Sequence, residues 1–427
     1  MKKYRSLLKK DEPRKECKCK KRLAKKRRRL ALTIIFCVVL LALAISVSIT
    51  GSMYNSNATT GGGNTTADLE NNVNNTLNGI NLGNLDDIVA GLRDGPRNLF
   101  GGTSFTQRVG QILSGEFSQD YPNLFTGILA LFGAFVLDIL PIIMLVIGIA
   151  ILSGFFQNLK SESAGEGVKN IIHFVTYAAI VVIVMVVVGT LVVEVSGALN
   201  SMRTQMEIIF PILLTLMVAV GGVSSAGVYQ PAVAVLSNGV MTIFSTIVMP
   251  LFIITLVFSV VGHLSPGHKL DKFVSFFHSA FKWIIGIIFT VFLAFLTIQG
   301  ITAGVHDGIS LRAARFTIGS YIPYLGGYLS QGLDLVLASS VLIKNAIGMA
   351  GLYLLIAVVL APLAKIVIFS LGLKLAAAIT QPIADERISN FLSTINKAFS
   401  MLASILIGSA FMYFLTIGLV IVTGNVI

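Results

Sequence analysis

Four ionisable side chains stand within or beside long apolar runs: Asp138, Glu194, Asp334 and Lys365. A charge at mid-membrane costs about 2.5 to 3.5 kcal/mol on insertion scales, so such residues are expected to face a partner or a water-filled path. Asp138 lies fifteen residues into its run, too deep to reach the headgroups. Lys365 follows Pro362 and has the reach to pair with Asp138 or Asp334 inside a helical bundle. Glu194 closes its run and reads as an interfacial residue. Two readings of Asp138, Asp334 and Lys365 follow. They line a polar pathway, or they supply one buried structural ion pair, which is the simpler role for buried charges.

Other chemistry is poorly represented. His263, His268 and His278 are spaced by five and ten residues, so they do not share one helical face, and only Asp271 adds a carboxylate nearby. No metal site is expected there. Cys17 and Cys19 lie in a basic tail and Cys37 in an apolar run, which gives neither a disulfide framework nor zinc-ligand spacing. The sequence has no P-loop, HExxH, GxSxG or dinucleotide-binding glycine fingerprint, so neither enzymatic activity nor a cofactor is expected.

The elements that carry these charges follow from composition. The chain has 427 residues, 55% hydrophobic and 12% charged, with a mean hydropathy of +0.84. Soluble domains are about one quarter charged, so the fold class is all-α and polytopic in a membrane. The net charge of +12 looks like a nucleic-acid signal until it is located. Residues 1–29 hold 16 Lys and Arg against 3 Asp and Glu, which leaves the rest near neutrality. This tail precedes a twenty-residue apolar run, 30–49. Together they read as a cytoplasmic basic region followed by a signal peptide, with a retained anchor as the alternative. Ala42, Ala44, Ser46 and Ser48 fit a small-residue cleavage site. The tail reads as a topogenic signal in preference to an anionic-lipid or nucleic-acid binder, so no nucleic-acid partner is expected and the chain's surroundings are the lipid bilayer.

Residues 50–84 form an Asn-rich flexible linker, with ten asparagines between 55 and 84. Residues 85–123 show helical spacing at Leu85, Ile88, Val89 and Leu92, then at Val109, Ile112 and Leu113. These predict two short amphipathic helices on the translocated side, most simply packed on the protein's own membrane domain.

Residues 124–427 are the multispanning domain, with seven apolar blocks: 124–156, 171–193, 208–223, 232–261, 283–301, 346–369 and 401–422. The first and fourth are long and carry Pro141 and Pro250; the third starts at Pro211 and dissolves into Gly221, Gly222 and Gly227. The third block and the half-polar stretch 316–343 are therefore expected to be broken or re-entrant helices. Lys and Arg distribute better across the membrane if the third block does not cross it. About six or seven spans are expected. Gly300, Gly304 and Gly308 make two GxxxG steps, and Gly348 and Gly351 open the sixth block, so both sites are candidates for close helix packing.

Between Lys282 and Lys397 the chain resembles one family. KWIIGIIFTVFLAF (Lys282 to Phe295), VHDGISLRAARF (Val305 to Phe316), YIPYLGGYLSQGLD (Tyr321 to Asp334), SSVLIKNAIG (Ser339 to Gly348), APLAK (Ala361 to Lys365) and QPIADERI (Gln381 to Ile388) occur in the order typical of the stage III sporulation protein AE family. The motif positions are Asp307, Arg315, Pro323, Gly326, Gly327, Lys344, Asn345, Pro362, Pro382 and Asp385. Arg315 stands where a lysine is typical, and Gln381 where a glutamate usually precedes the proline.

The resemblance implies a role in endospore formation. Similar proteins join an assembly that connects the mother cell to the engulfed forespore, a channel or feeding apparatus across two membranes. Its other parts are products of the stage III sporulation A operon: a secretion-type ATPase, ring-forming intermembrane-space proteins and other membrane subunits. A forespore membrane partner completes it. The chain would be the large polytopic, permease-like or export-gate subunit of the mother-cell membrane, without enzymatic activity. The alternatives are a stand-alone secondary transporter of a small solute and a non-conducting platform that anchors the rings.

Overall fold

A computed structural model describes residues 82–92, 101–115, 121–159, 166–264, 271–303, 326–382 and 386–423, with single positions near 73–80 and at 97. All of them belong to one compact unit, Thr65–Ile427. The basic tail and the 30–49 run lie outside the described residues.

The described regular elements are helical. Two short helices come first, α1 (Gly83–Ala90) and α2 (Phe105–Leu113). The membrane domain follows as α3 (Tyr121–Leu159), α4 (Glu166–Ala219), α5 (Val223–Ala234), α6 (Met249–Leu264), α7 (Asp271–Ala303), α8 (Gly326–Thr380) and α9 (Glu386–Val422). Six candidate spans are long and apolar enough to cross a membrane. The apolar blocks supply the reason, since a helix satisfies its own backbone polar groups where water cannot.

Block boundaries and helix boundaries differ in two places. The second and third blocks join in the single 54-residue helix α4, with Pro211 inside it. The third block is therefore the tail of a helix and not a re-entrant segment. Proline removes one N–H, and packing on both flanks outweighs that loss. The helix stops where glycine allows it to. Gly221 has φ +92, its N–H donates to the Val218 carbonyl, and the Gly222 N–H donates to Met217. That bond pair is a Schellman cap, which needs a left-handed residue at this point.

The second difference is in 316–343. Residues 326–343 are the first third of α8, a 55-residue helix that runs unbroken through Gly332 and Pro362; residues 316–325 lie outside the described residues. An interior glycine costs a helix only about 1 kcal/mol, which the packing of α8 against its neighbours exceeds. Of the two long proline-bearing blocks, the first runs as the single helix α3 through Pro141, whereas the fourth is interrupted. Between Pro231 and Pro250 it passes through two π-helical stretches, Val235–Val240 and Phe244–Val248, where the prolines and a wider turn interrupt the ladder.

Helices α4, α8 and α9 form the core. Ile209 of α4 and Ile417 of α9 both close on Gly351 of α8, where a Cβ would lie 2.9 and 3.4 Å from them. At Gly348 a Cβ would meet Ile421 at 2.5 Å, and at Gly372 it would meet Ile143 of α3 at 2.7 Å. Close approach is thus made at Gly348, Gly351 and Gly372. Gly300 ends within α7, and Gly304 and Gly308 lie outside the described residues.

The α2 helix docks on α8. Its N-terminus carries a capping box between Ser104 and Gln107. Phe105 and Val109 are buried, and Arg108, 1% exposed, places its guanidinium 5.0 Å from the ring centre of Tyr353. Asp86 of α1 accepts from the Thr106 N–H and hydroxyl at 3.0 and 2.9 Å, which fastens α1 to α2. Both short helices are part of the membrane domain's own packing.

Candidate functional site

At about 1.5 Å per residue α4 and α8 are each about 80 Å long, whereas the hydrocarbon core of a bilayer is about 30 Å thick. Tilt does not remove this excess. The exposed side chains of α4 show how it is used. From Ile171 to Val193 the exposed large residues are apolar: Ile171, Phe174, Val175, Val182, Val186 and Val193. From Glu194 to Met217 α4 exposes no large apolar side chain. Its exposed residues there are Ser196, Gly197, Asn200, Glu207, Pro211 and Thr215, most of them about one turn apart along a single flank. Acyl chains do not suit that flank; water or protein does.

A groove of ≈ 590 Å³ opens beside the flank, between α4 and α5, where Glu207, Thr215 and Gln230 stand among apolar residues that include Leu214, Val218, Val223 and Val233. Glu207 accepts from Arg203 Nε at 2.9 Å, one turn before it. Behind the flank the core is also polar. Gln205 is 0% exposed, and neither its amide oxygen nor its amide nitrogen has a hydrogen-bond partner among the described residues. The Tyr413 hydroxyl is buried in the same condition. Gln205 and Tyr413 each lie one turn before the isoleucine that closes on Gly351, so the two polar groups share one level of the core.

The apolar and polar halves of α4 meet at an ion pair. Lys365 Nζ of α8 donates to Glu194 Oε1 at 2.6 Å, with 20% and 13% of the two side chains exposed. The same ammonium sits 5.1 Å from the centre of the Phe135 ring. Lys365 therefore pairs with neither Asp138 nor Asp334. Asp334 is on α8 itself, 31 positions away, about 45 Å along the axis. Asp138 is one turn beyond Phe135 and exposed. The structure does not gather Asp138, Asp334 and Lys365 into one path; the part-buried pair is made with Glu194, whose position at the end of a block had concealed it.

A second cation has a structural post. Lys344, 0% exposed, donates from Nζ to the Thr423 carbonyl at 2.7 Å, at the C-terminal end of α9. A cation there meets both the last carbonyls and the negative end of the helix dipole. The Thr423 hydroxyl donates to the Leu419 carbonyl at 2.8 Å. A hydroxyl has one hydrogen, so Tyr229 of α5 is the donor in its 3.1 Å bond to Thr423 Oγ1. Burial pushes the Tyr229 phenol up from its ordinary pKa, with the Thr423 bond opposing, which keeps that proton in place.

Other motif positions are placed as follows. Asn345 follows Lys344 in α8, with its Oδ1 buried and unpartnered among the described residues. Gly326 and Gly327 open α8, Pro362 is buried within it, and Pro382 is exposed just beyond it. Asp307, Arg315, Pro323 and Asp385 lie outside the described residues.

The family described as Stage III sporulation protein AE matches residues 103–424. The chain is also similar to Stage III sporulation protein AE of Bacillus subtilis (strain 168), with 28% identity over 269 residues, 63% of this chain and 67% of that one. No solved structure matches.

Proposed function

The chain belongs to the Stage III sporulation protein AE family, and from that premise we propose that it is the permease-like or export-gate subunit of the channel between mother cell and forespore. In this reading it resides in the mother-cell membrane, reached through its N-terminal signal. It works with a secretion-type ATPase, intermembrane-space ring proteins, other membrane subunits and a forespore partner. The observation that carries the reading is the polar flank of α4 from Ser196 to Thr215. It is exposed, it is unsuited to lipid, and it borders a groove. A permease-like subunit needs such a surface, because solute or a partner helix must pass beside it without meeting acyl chains. The interrupted helix between Pro231 and Pro250 adds a deformable wall next to that groove.

The test is replacement of the native protein in a spore-forming host by the full chain with its flank closed. Thr215→Leu and Gly227→Trp fill the groove and Asn200→Leu makes the flank beyond it apolar, without touching the Lys365–Glu194 pair. The expected result is normal membrane insertion and co-purification of the sporulation partners, with spore formation arrested after engulfment. Normal spore counts from an assembled variant would show a platform that conducts nothing. Solute uptake by the purified chain alone in liposomes would show a stand-alone transporter.

A further inference from the structure

Asp138 is exposed midway along α3 between the lipid-facing residues Val136, Leu137 and Leu140. It forms no hydrogen bond or ion pair among the described residues. A bare carboxylate at that depth is costly in lipid, so the assembled protein must cover it.

A surface of opposite charge lies on other helices. The first half of α9 exposes Ser393, Lys397, Ser400 and Ser404 and no large apolar side chain. Beside it α7 carries a groove of ≈ 500 Å³ in which Lys282, Gly286 and Thr290 alternate with the exposed apolar Trp283, Ile287 and Val291. Lys282 and Lys397 both lie near enough to His278 to act on its charge. Neither lysine has an ion pair or hydrogen bond among the described residues. Helix α8 separates the two surfaces: Gly372 faces Ile143 of α3, while Phe369 and Ser370 face Phe399 and Asn396 of α9.

The two surfaces lie at one depth. Asp138 is three residues beyond Phe135, which Lys365 covers. Lys397 adjoins Asn396, which Ser370 holds, five residues beyond Lys365 on the same helix. Helix α3 runs parallel to α8 and α9 runs against it, so at 1.5 Å per residue these contacts put Asp138 and Lys397 within about 2 to 6 Å of the same height. Two copies inserted in one bilayer share their orientation, so charges of opposite sign meet between copies only if their depths match.

We propose that Asp138 of one copy docks in the Lys282–Lys397 seam of a second copy. The contact joins different faces of the two chains. Repeated around an axis normal to the membrane it closes a ring, as head-to-tail contacts do when their rotation closes. It stands independently of whether the chain conducts.

The test uses the full chain in lipid nanodiscs. Two populations are mixed, one carrying Ala134→Cys and the other Ser400→Cys, in a background where Cys17, Cys19 and Cys37 are serine. Both sites lie one turn from the charges and toward the same end of the bundle, so oxidation should join the copies while the charges stay intact. Asp138→Lys, or Lys282→Glu with Lys397→Glu, should cut that cross-link by about tenfold or more, because like charges then face each other. Mixing the two reversed chains should restore it. Asp138→Asn and Lys397→Gln give the same ordering if the reversals insert poorly. A well-folded chain that stays monomeric, or a cross-link indifferent to every charge change, would overturn the proposal.

Discussion

Lys365 Nζ lies 2.6 Å from Glu194 Oε1, and the bond crosses from α8 to α4 where the exposed face of α4 changes from apolar to polar. The pair fixes the axial register of the two longest helices. Both side chains are mostly covered, so removing one partner leaves a charge that water reaches poorly. We expect Glu194→Gln or Lys365→Met to lower the stability of the purified protein by about 1 to 3 kcal/mol, between the values for an exposed and a fully buried pair. The double variant Glu194→Leu/Lys365→Met should recover most of that loss. Thermal unfolding in detergent checks this, and additive losses in the double variant would count against a direct pair.

The cation at Lys344 makes a different prediction, because its acceptor is a helix end and not a carboxylate. Lys344→Met removes a charge-assisted bond to the Thr423 carbonyl, a part-buried acceptor at the end of α9. The expected cost is about 2 kcal/mol, concentrated in the last turns of α9. Hydrogen exchange over 417–423 should accelerate. Tyr229→Phe, which removes only a hydroxyl bond to Thr423, should accelerate it less.

The six candidate spans were legible because a helix that crosses lipid must be apolar over about twenty residues, and that leaves a mark in the sequence. Helix continuity was not. Pro211 and the glycines from 326 to 332 are local stop signals, and the contacts that overrule them come from residues far away in the chain. The same splitting hid the candidate site. Ser196, Asn200, Glu207, Pro211 and Thr215 recur at helical spacing, but the pattern is visible only when 194–219 is read as one helix. Glu194 was missed as a partner because hydropathy places it at a block end, while its cation lies 171 positions away. Opposite signs on two otherwise uncharged blocks were the available clue.

Gly101 leaves room for the Arg108 guanidinium where α2 docks. It has φ +80, and a Cβ there would lie 2.0 Å from Arg108 Nη2. Gly101→Ala therefore meets two obstacles, a left-handed backbone that costs a side chain about 1 to 2 kcal/mol and a buried guanidinium that has to move off Tyr353. The expected outcome is release of α2 from α8 with the six long helices intact. Limited proteolysis should then cut within 101–115, where the parent chain resists. Arg108→Ala combined with Gly101→Ala should be no worse than Arg108→Ala alone by more than the backbone cost.

Gln205 gives a prediction of the opposite sign. Its amide is fully buried and meets no partner among the described residues, and the Tyr413 hydroxyl at the same level is in the same condition. An unpartnered buried polar group costs about 1 to 3 kcal/mol. Gln205→Leu keeps nearly the same volume and removes that cost, so it should raise the melting temperature in detergent; Tyr413→Phe should do so as well. A protein that retains two such groups at one level of its core, behind a polar flank, gains something other than stability from them. If that gain is a hydrated path beside α4, Gln205→Leu should yield a more stable protein and fewer spores. A fall in melting temperature would show instead that the amide is bonded in the native protein, and a rise with normal sporulation would place the path elsewhere.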